Sequence, residues 1–122
     1  MKIKESAENY LETILMLENK NGRVRSIDVA NELGFTKPSV SVAMKHFREE
    51  GYIVTDADGG ISLTKKGLEV AERIYERHGV IAQVLMMIGV NEEVAYEDSC
   101  KIEHDISQET FEKIKEFVEK RR

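Results

Sequence analysis

Between Asn19 and Leu63 the chain is punctuated so closely that only short elements fit. The breakers are Asn19-Lys20-Asn21-Gly22, Gly34, Pro38, Gly51 and Asp58-Gly59-Gly60. Glycine and proline mark turns more strongly than any other residue. Ser26 reads as the N-cap of a short helix with Ile27, Val29, Ala30 and Leu33 as its apolar residues. Gly34 ends that helix, because glycine tolerates positive φ. Thr36 caps the next helix, and Pro38 sits in its first turn, where a missing N–H costs little. Val40, Ala43, Met44 and Phe47 recur at helical spacing, and Gly51 stops the run. Two helices joined by a tight glycine turn predict a helix-turn-helix. Tyr52-Ile53-Val54-Thr55 and Ile61-Ser62-Leu63 flank a strong hairpin turn. A hairpin straight after a helix-turn-helix is a wing, so residues 24–66 read as a winged helix.

The flanks are helical. Tyr10, Leu11, Ile14, Leu15 and Leu17 predict a helix from about Ser6 to Asn19. Thr64 opens a long helix to about Ile88, with a stripe of Leu68, Ala71, Ile74/Tyr75, His78, Ile81/Ala82 and Leu85. Asn91 caps a helix over Glu92–Asp105, and Ser107 caps a last one ending in Lys120-Arg121-Arg122, cations suited to a helix C-terminus. The expected fold is mainly α: an N-terminal winged helix-turn-helix with a β-hairpin wing, residues 1–66, and a C-terminal helical domain, residues 67–122.

Composition narrows the function. A chain of 122 residues has no room for an active-site cavern between two lobes. Its longest apolar run, Val80 to Val90, is too short to span a bilayer, and no apolar leader follows Met1. Its one cysteine, Cys100, forms no internal disulfide, so a cytoplasmic protein with no membrane partner is expected. The net charge of −5 excludes a uniformly basic nucleic-acid binder. Residues 20–48 are nevertheless at +4, with Lys20, Arg23, Arg25, Lys37, Lys45 and Arg48 against Asp28 and Glu32.

That basic block coincides with the helix-turn-helix, whose second helix enters the major groove of DNA with its N-terminal residues at base edges. Here it begins Thr36-Lys37-Pro38-Ser39-Val40-Ser41, and Lys37, Ser39, Ser41 and Lys45 can bond bases or phosphates. Arg23, Arg25, Lys65 and Lys66 are candidate phosphate contacts. Asp56 and Asp58 at the wing tip oppose deep phosphate contact there.

A second constellation offers donors to a metal. At about 100° per residue, His104 lies about 40° to one side of Cys100 and Glu103 about 60° to the other. Thiolate, carboxylate and imidazole thus share a helix face, a donor set for a divalent transition metal. Read alone, Glu and His on a charged helix are ordinary surface residues. His78 interrupts an apolar stripe, as a core histidine bonded to a carboxylate or as a further ligand. Asn9 and Glu12, three apart, share a face of the first helix. Glu8 reads as solvated.

These elements together resemble the metal-dependent repressors of the diphtheria-toxin-repressor and manganese-transport-regulator type. The resemblance is carried by Ala7-Glu8-Asn9-Tyr10-Leu11-Glu12-Thr13-Ile14, Leu63-Thr64-Lys65-Lys66-Gly67, Glu76-Arg77-His78, Ile88-Gly89-Val90 and Cys100-Lys101-Ile102-Glu103-His104-Asp105-Ile106-Ser107. It implies a homodimer of winged helices whose C-terminal domain dimerises and binds metal. It also implies a double-stranded palindromic operator and control of metal-uptake genes. Glu103 and His104 match core ligands. Cys100 matches a position that is Cys in iron-type and Glu in manganese-type members. Glu12 matches the manganese-type carboxylate, and His78 a metal-binding His in both. Asn9 stands where the family uses Asp or Met, Ala82 where it often has Glu, and Tyr96 replaces a His of the iron-type ancillary site. An SH3-like domain like that of longer members is not expected. Metal binding is expected to pin the first helix and so set the spacing of the recognition helices.

The expected cofactor is Fe(II) or Mn(II), with Fe(II) slightly favoured: the thiolate argues against Mn(II), the carboxylates for either. No organic cofactor is expected. The competing reading is a winged-helix regulator that does not respond to metal. A small metalloenzyme is the weakest, because no nucleophile–base pair is evident.

Overall fold

The computed structural model describes residues 5–121. The elements in order are α1 (Glu5–Asn21), α2 (Ser26–Leu33), α3 (Lys37–Glu49), β1 (Ile53–Thr55), β2 (Ile61–Leu63), α4 (Lys65–Met87), α5 (Glu92–Ile102) and α6 (Gln108–Lys120). The chain divides into two compact units, with the boundary inside α4 between Glu72 and Arg73.

The first unit is a winged helix. Leu11 and Ile14 of α1, Val29 of α2, Val40 and Met44 of α3, Ile53, Ile61 and Ala71 form one buried cluster. Tyr10 packs edge-on against Phe35 and Phe47, both at 5.6 Å between centroids, an arrangement the ring quadrupoles favour. Gly34 ends α2 at φ 71° and its N–H bonds the carbonyl of Ala30, so the chain turns within three residues into α3. Thr36 Oγ1 accepts from the Ser39 N–H, as expected of the α3 cap. The α2 cap is one residue earlier than predicted. Arg25 holds the N-cap position, Ser26 is already helical, and the Asp28 carboxylate accepts from the Arg25 N–H at 2.9 Å.

β1 and β2 pair antiparallel, with Ile53 opposite Leu63 and Thr55 opposite Ile61. Val24 adds a single bridge to Ile61, which the sequence did not signal. Asp56 closes the turn by accepting from the N–H groups of Asp58 and Gly60. Thr64 joins the wing to α4: its hydroxyl donates to the Gly51 carbonyl at 2.6 Å and accepts from the Gly67 N–H.

The second unit comprises the later turns of α4 with α5 and α6. Ile74, Ile81, Ala82, Ala95, Phe111 and Val118 are buried. The predicted α4 stripe is partly wrong, because Leu68 and Tyr75 are exposed and the buried face follows Ala71, Ile74, Ile81 and Ala82. Val94 and Phe117 are exposed as well. No helix among the described residues is long and apolar enough to cross a membrane.

Candidate metal centre and nucleic-acid interface

α5 ends at Ile102, three residues before the predicted Asp105, and residues 103–105 form a turn. Glu103 is the C-cap residue and keeps helical dihedrals, so its side chain still follows the α5 face that carries Cys100. The turn is held by Arg77 of α4, a buried arginine. Its Nη1 donates to the carbonyls of Glu103 (3.0 Å) and Ile106 (3.1 Å), and its Nη2 donates to Gln108 Oε1 (2.8 Å). Terminal helix carbonyls lack intrahelical partners, and a cation there meets the negative end of the dipole. Arg77 meets both needs and stacks over Phe111 at 5.3 Å.

The next residue of α4 also faces the site. His78 Nδ1 lies 2.9 Å from Glu103 Oε2, 3.0 Å from Ser99 Oγ and 3.6 Å from Cys100 Sγ. The ligand atoms of His78, Cys100 and Glu103 all fall within 4.8 Å of one another. Glu103 is fully buried, whereas the Cys100 thiol is exposed, so the cluster has a wet side and a dry one. Ser99, also fully buried, donates its only hydroxyl hydrogen to the His78 carbonyl at 2.7 Å. Its lone pairs therefore face Nδ1, as does the Glu103 carboxylate. The chemistry assigns the metal-free imidazole proton to Nδ1.

His104 does not join this cluster. Its Nε2 sits 3.4 Å from the other Glu103 oxygen, Oε1, which is buried and makes no hydrogen bond. Glu103 thus stands between two imidazoles. Asn9 and Glu12 lie on α1 in the first unit, where Glu12 is buried and Asn9 half-buried. Glu8, expected to be solvated, is buried as well. Tyr96 packs its ring against His78 at 5.5 Å.

The donor set fits a divalent transition metal. At metal–ligand lengths of about 2.0–2.3 Å, tetrahedral ligand atoms stand about 3.3–3.8 Å apart. The Nδ1–Sγ and Nδ1–Oε2 separations are within a few tenths of an ångström of that range. A buried carboxylate oxygen without a hydrogen bond is costly unless something else satisfies it.

Sequence reasoning missed Ser99 and Arg77. Ser99 is one residue before Cys100, and its small polar side chain carries no motif. Arg77 stands beside His78 within the resembling segment Glu76-Arg77-His78, which was the available signal.

The nucleic-acid candidates belong to the first unit. Arg25, Thr36, Lys37, Pro38, Ser39, Ser41 and Lys45 are all exposed. Ser26, Ile27, Lys37 and Ser41 line a small groove beside α3. The Thr36 hydroxyl is occupied: it accepts the capping Ser39 N–H at 3.3 Å and donates to Ser39 Oγ at 2.9 Å. Two expected phosphate contacts are tied locally. Arg23 pairs with Asp56 at 3.3 Å, and Lys66 donates to the Glu50 carbonyl at 2.9 Å while lying over the Tyr52 ring. Asp56 is held below the usual carboxylate range by the Gly60 N–H first, then by the Asp58 N–H and Arg23, against some desolvation.

Known proteins share this arrangement. Residues 2–61 match the family model described as iron dependent repressor, N-terminal DNA binding domain. Residues 64–122 match that of the iron dependent repressor, metal binding and dimerisation domain. An uncharacterised helix-turn-helix-type transcriptional regulator of Methanocaldococcus jannaschii is 35% identical over 118 residues, covering 95% of this chain and 94% of its own. The transcriptional regulator MntR of Lysinibacillus sphaericus is 34% identical over 114 residues, covering 93% of this chain and 82% of its own. Among solved structures, the manganese regulator SloR superposes with a TM-score of 0.80 at 26% identity over 98% of this chain and 55% of its own. The chain therefore belongs to the iron-dependent repressor family, the diphtheria-toxin-repressor and manganese-transport-regulator group. It is a metal-dependent transcriptional repressor with DNA-binding, metal-binding and dimerisation regions; the family is not one of enzymes.

Proposed function

We propose that the chain acts as a homodimer that binds a palindromic operator when loaded with a divalent metal, Fe(II) slightly favoured over Mn(II), and so controls metal uptake. The observation that carries this reading is the convergence of His78, Cys100 and Glu103. A thiolate beside an imidazole and a carboxylate suits Fe(II) better than an all-oxygen site would, while Glu103 keeps Mn(II) in range. Asn9 and Glu12 are donors on the strength of the family resemblance, as is His104.

A bound cation supplies the positive charge that offsets ionised Glu103 and the Cys100 thiolate. The chain's own residues prepare for it. When Nδ1 becomes a donor the ring proton sits at Nε2 instead, so the imidazole stays neutral, and Cys100 gives up its thiol proton, so metal uptake releases a proton. Ser99, through the His78 carbonyl, and Arg77, through the Glu103 turn, hold the backbone of the site in place throughout. The coupling required between metal and DNA is modest, about 1–3 kcal/mol for a 5- to 150-fold gain in affinity.

Dimerisation is supported by what the second unit leaves exposed. Ile88 is 71% exposed, and with Val84, Ile114 and Phe117 it lines one apolar groove. Contiguous exposed apolar surface of this kind marks an interface. An isologous two-fold interface also matches a palindromic site, with half-sites about one helical turn apart or a multiple of it.

The test is selection of binding sites from a random duplex library by the purified chain, with Fe(II) under anaerobic conditions, with Mn(II), and with chelator. An inverted-repeat motif enriched with metal and not with chelator is expected. Equal enrichment in all three would overturn the reading.

A further inference from the structure

α3 carries an apolar side chain that neither the core nor the helix requires. Its buried stripe is Val40, Met44 and Phe47. Val42 lies about 200° around the helix from Val40 at about 100° per residue, on the opposite side. It is 57% exposed, the most exposed large apolar residue of the winged helix. Valine is also a poorer helix former than the alanine, lysine or glutamine usual on such a face. Pro38, one turn earlier on the same side, extends the strip. Exposed Lys37, Ser39, Ser41 and Lys45 flank it, so the strip is apolar within a polar and basic border.

The major groove offers one apolar group at base edges, the C5-methyl of thymine. A side chain opposite the helix's buried face points most deeply into the groove when the helix lies there. We propose that Val42 is a base-reading residue that selects thymine by packing against its C5-methyl, once in each half-site. This rests on the operator-binding reading, with α3 as the recognition helix. Lysine and serine neighbours supply hydrogen bonds and phosphate contacts; Val42 supplies discrimination that no hydrogen bond gives.

The experiment uses the metal-loaded full chain and the duplex motif selected from a random library. Each thymine of the motif is replaced singly by deoxyuridine, which lacks only the methyl. Binding is measured for the wild type and for Val42→Ala, an exposed substitution toward a better helix former. One thymine per half-site is expected to lose about fourfold in affinity on demethylation, the worth of one buried methyl-sized group. That loss should vanish in Val42→Ala, while the effects at other thymines persist. Losses identical in both proteins at every thymine would overturn the proposal and leave operator binding standing. Failure to enrich any motif would overturn the operator reading, and this proposal with it.

Discussion

Ser99 grips His78 at two points, its Oγ donating to the His78 carbonyl at 2.7 Å and facing the ring Nδ1 at 3.0 Å. A hydroxyl so placed fixes both the backbone and the imidazole of one residue before any ion arrives. The bond to the His78 carbonyl remains when Nδ1 takes a metal, so Ser99→Ala should lower metal affinity about 10-fold, the lower end of the effect of losing an outer-shell partner. The metal-free fold should lose only about 0.5–1.5 kcal/mol. Metal titration by calorimetry, with thermal unfolding in chelator, reads both; unaltered metal affinity would remove Ser99 from the site.

Glu103→Gln preserves volume and removes the charge that the cation must meet. The substitution should weaken metal binding by more than about 100-fold, beyond the outer-shell range, and abolish metal-dependent DNA binding. The circular dichroism spectrum should not change. A variant that still responds to metal normally would mean that the ligands lie elsewhere.

Replacing Cys100 by glutamate exchanges a soft donor for a hard one. Competition between Mn(II) and Co(II) should move toward Mn(II), because carboxylates suit manganese and thiolates do not. The thiol is exposed, so the fold should accept the change. Identical selectivity in both proteins would show that Cys100 does not discriminate.

Gly67 lies against the wing. A Cβ at that position would collide with the Tyr52 carbonyl oxygen, which is backbone and has little freedom to yield. Gly67→Ala should cost about 1–3 kcal/mol, as overpacking does. Urea unfolding would detect it, and a wild-type midpoint would contradict the close approach.

Asp56 tests the wing by pH. Its depressed carboxyl contributes stability above the ordinary value of 3.8, and that contribution disappears as pH falls through the lowered folded value. Wild type should therefore exceed Asp56→Ala in melting temperature at neutral pH and converge with it in strong acid. A difference that persists unchanged into acid would show that the charge of Asp56 is irrelevant.

The winged helix was legible because its punctuation is local. Gly34, Thr36, Pro38 and the Asp58-Gly59-Gly60 turn each act within a few residues, and the structure uses all of them. What was illegible depends on distant partners. The Val24 bridge to Ile61 is one residue long and has no period. The α4 stripe drifts because different turns of that helix belong to two compact units. The centre was half visible. Cys100 and Glu103 declared themselves by spacing, and His78 by interrupting an apolar stripe. His104 meets the other Glu103 oxygen from beyond the end of α5 at Ile102, and helix ends are the least readable feature of a sequence. Arg77 was visible only as part of the segment Glu76-Arg77-His78, and the packing of the turn reveals what it holds.

X-ray absorption at the metal edge of the full chain, loaded anaerobically with Fe(II), tests the centre most directly. A sulfur shell alongside nitrogen and oxygen is predicted, with the sulfur lost in Cys100→Ser and the imidazole scattering reduced in His78→Ala. A purely oxygen and nitrogen shell, identical in all three proteins, would contradict it.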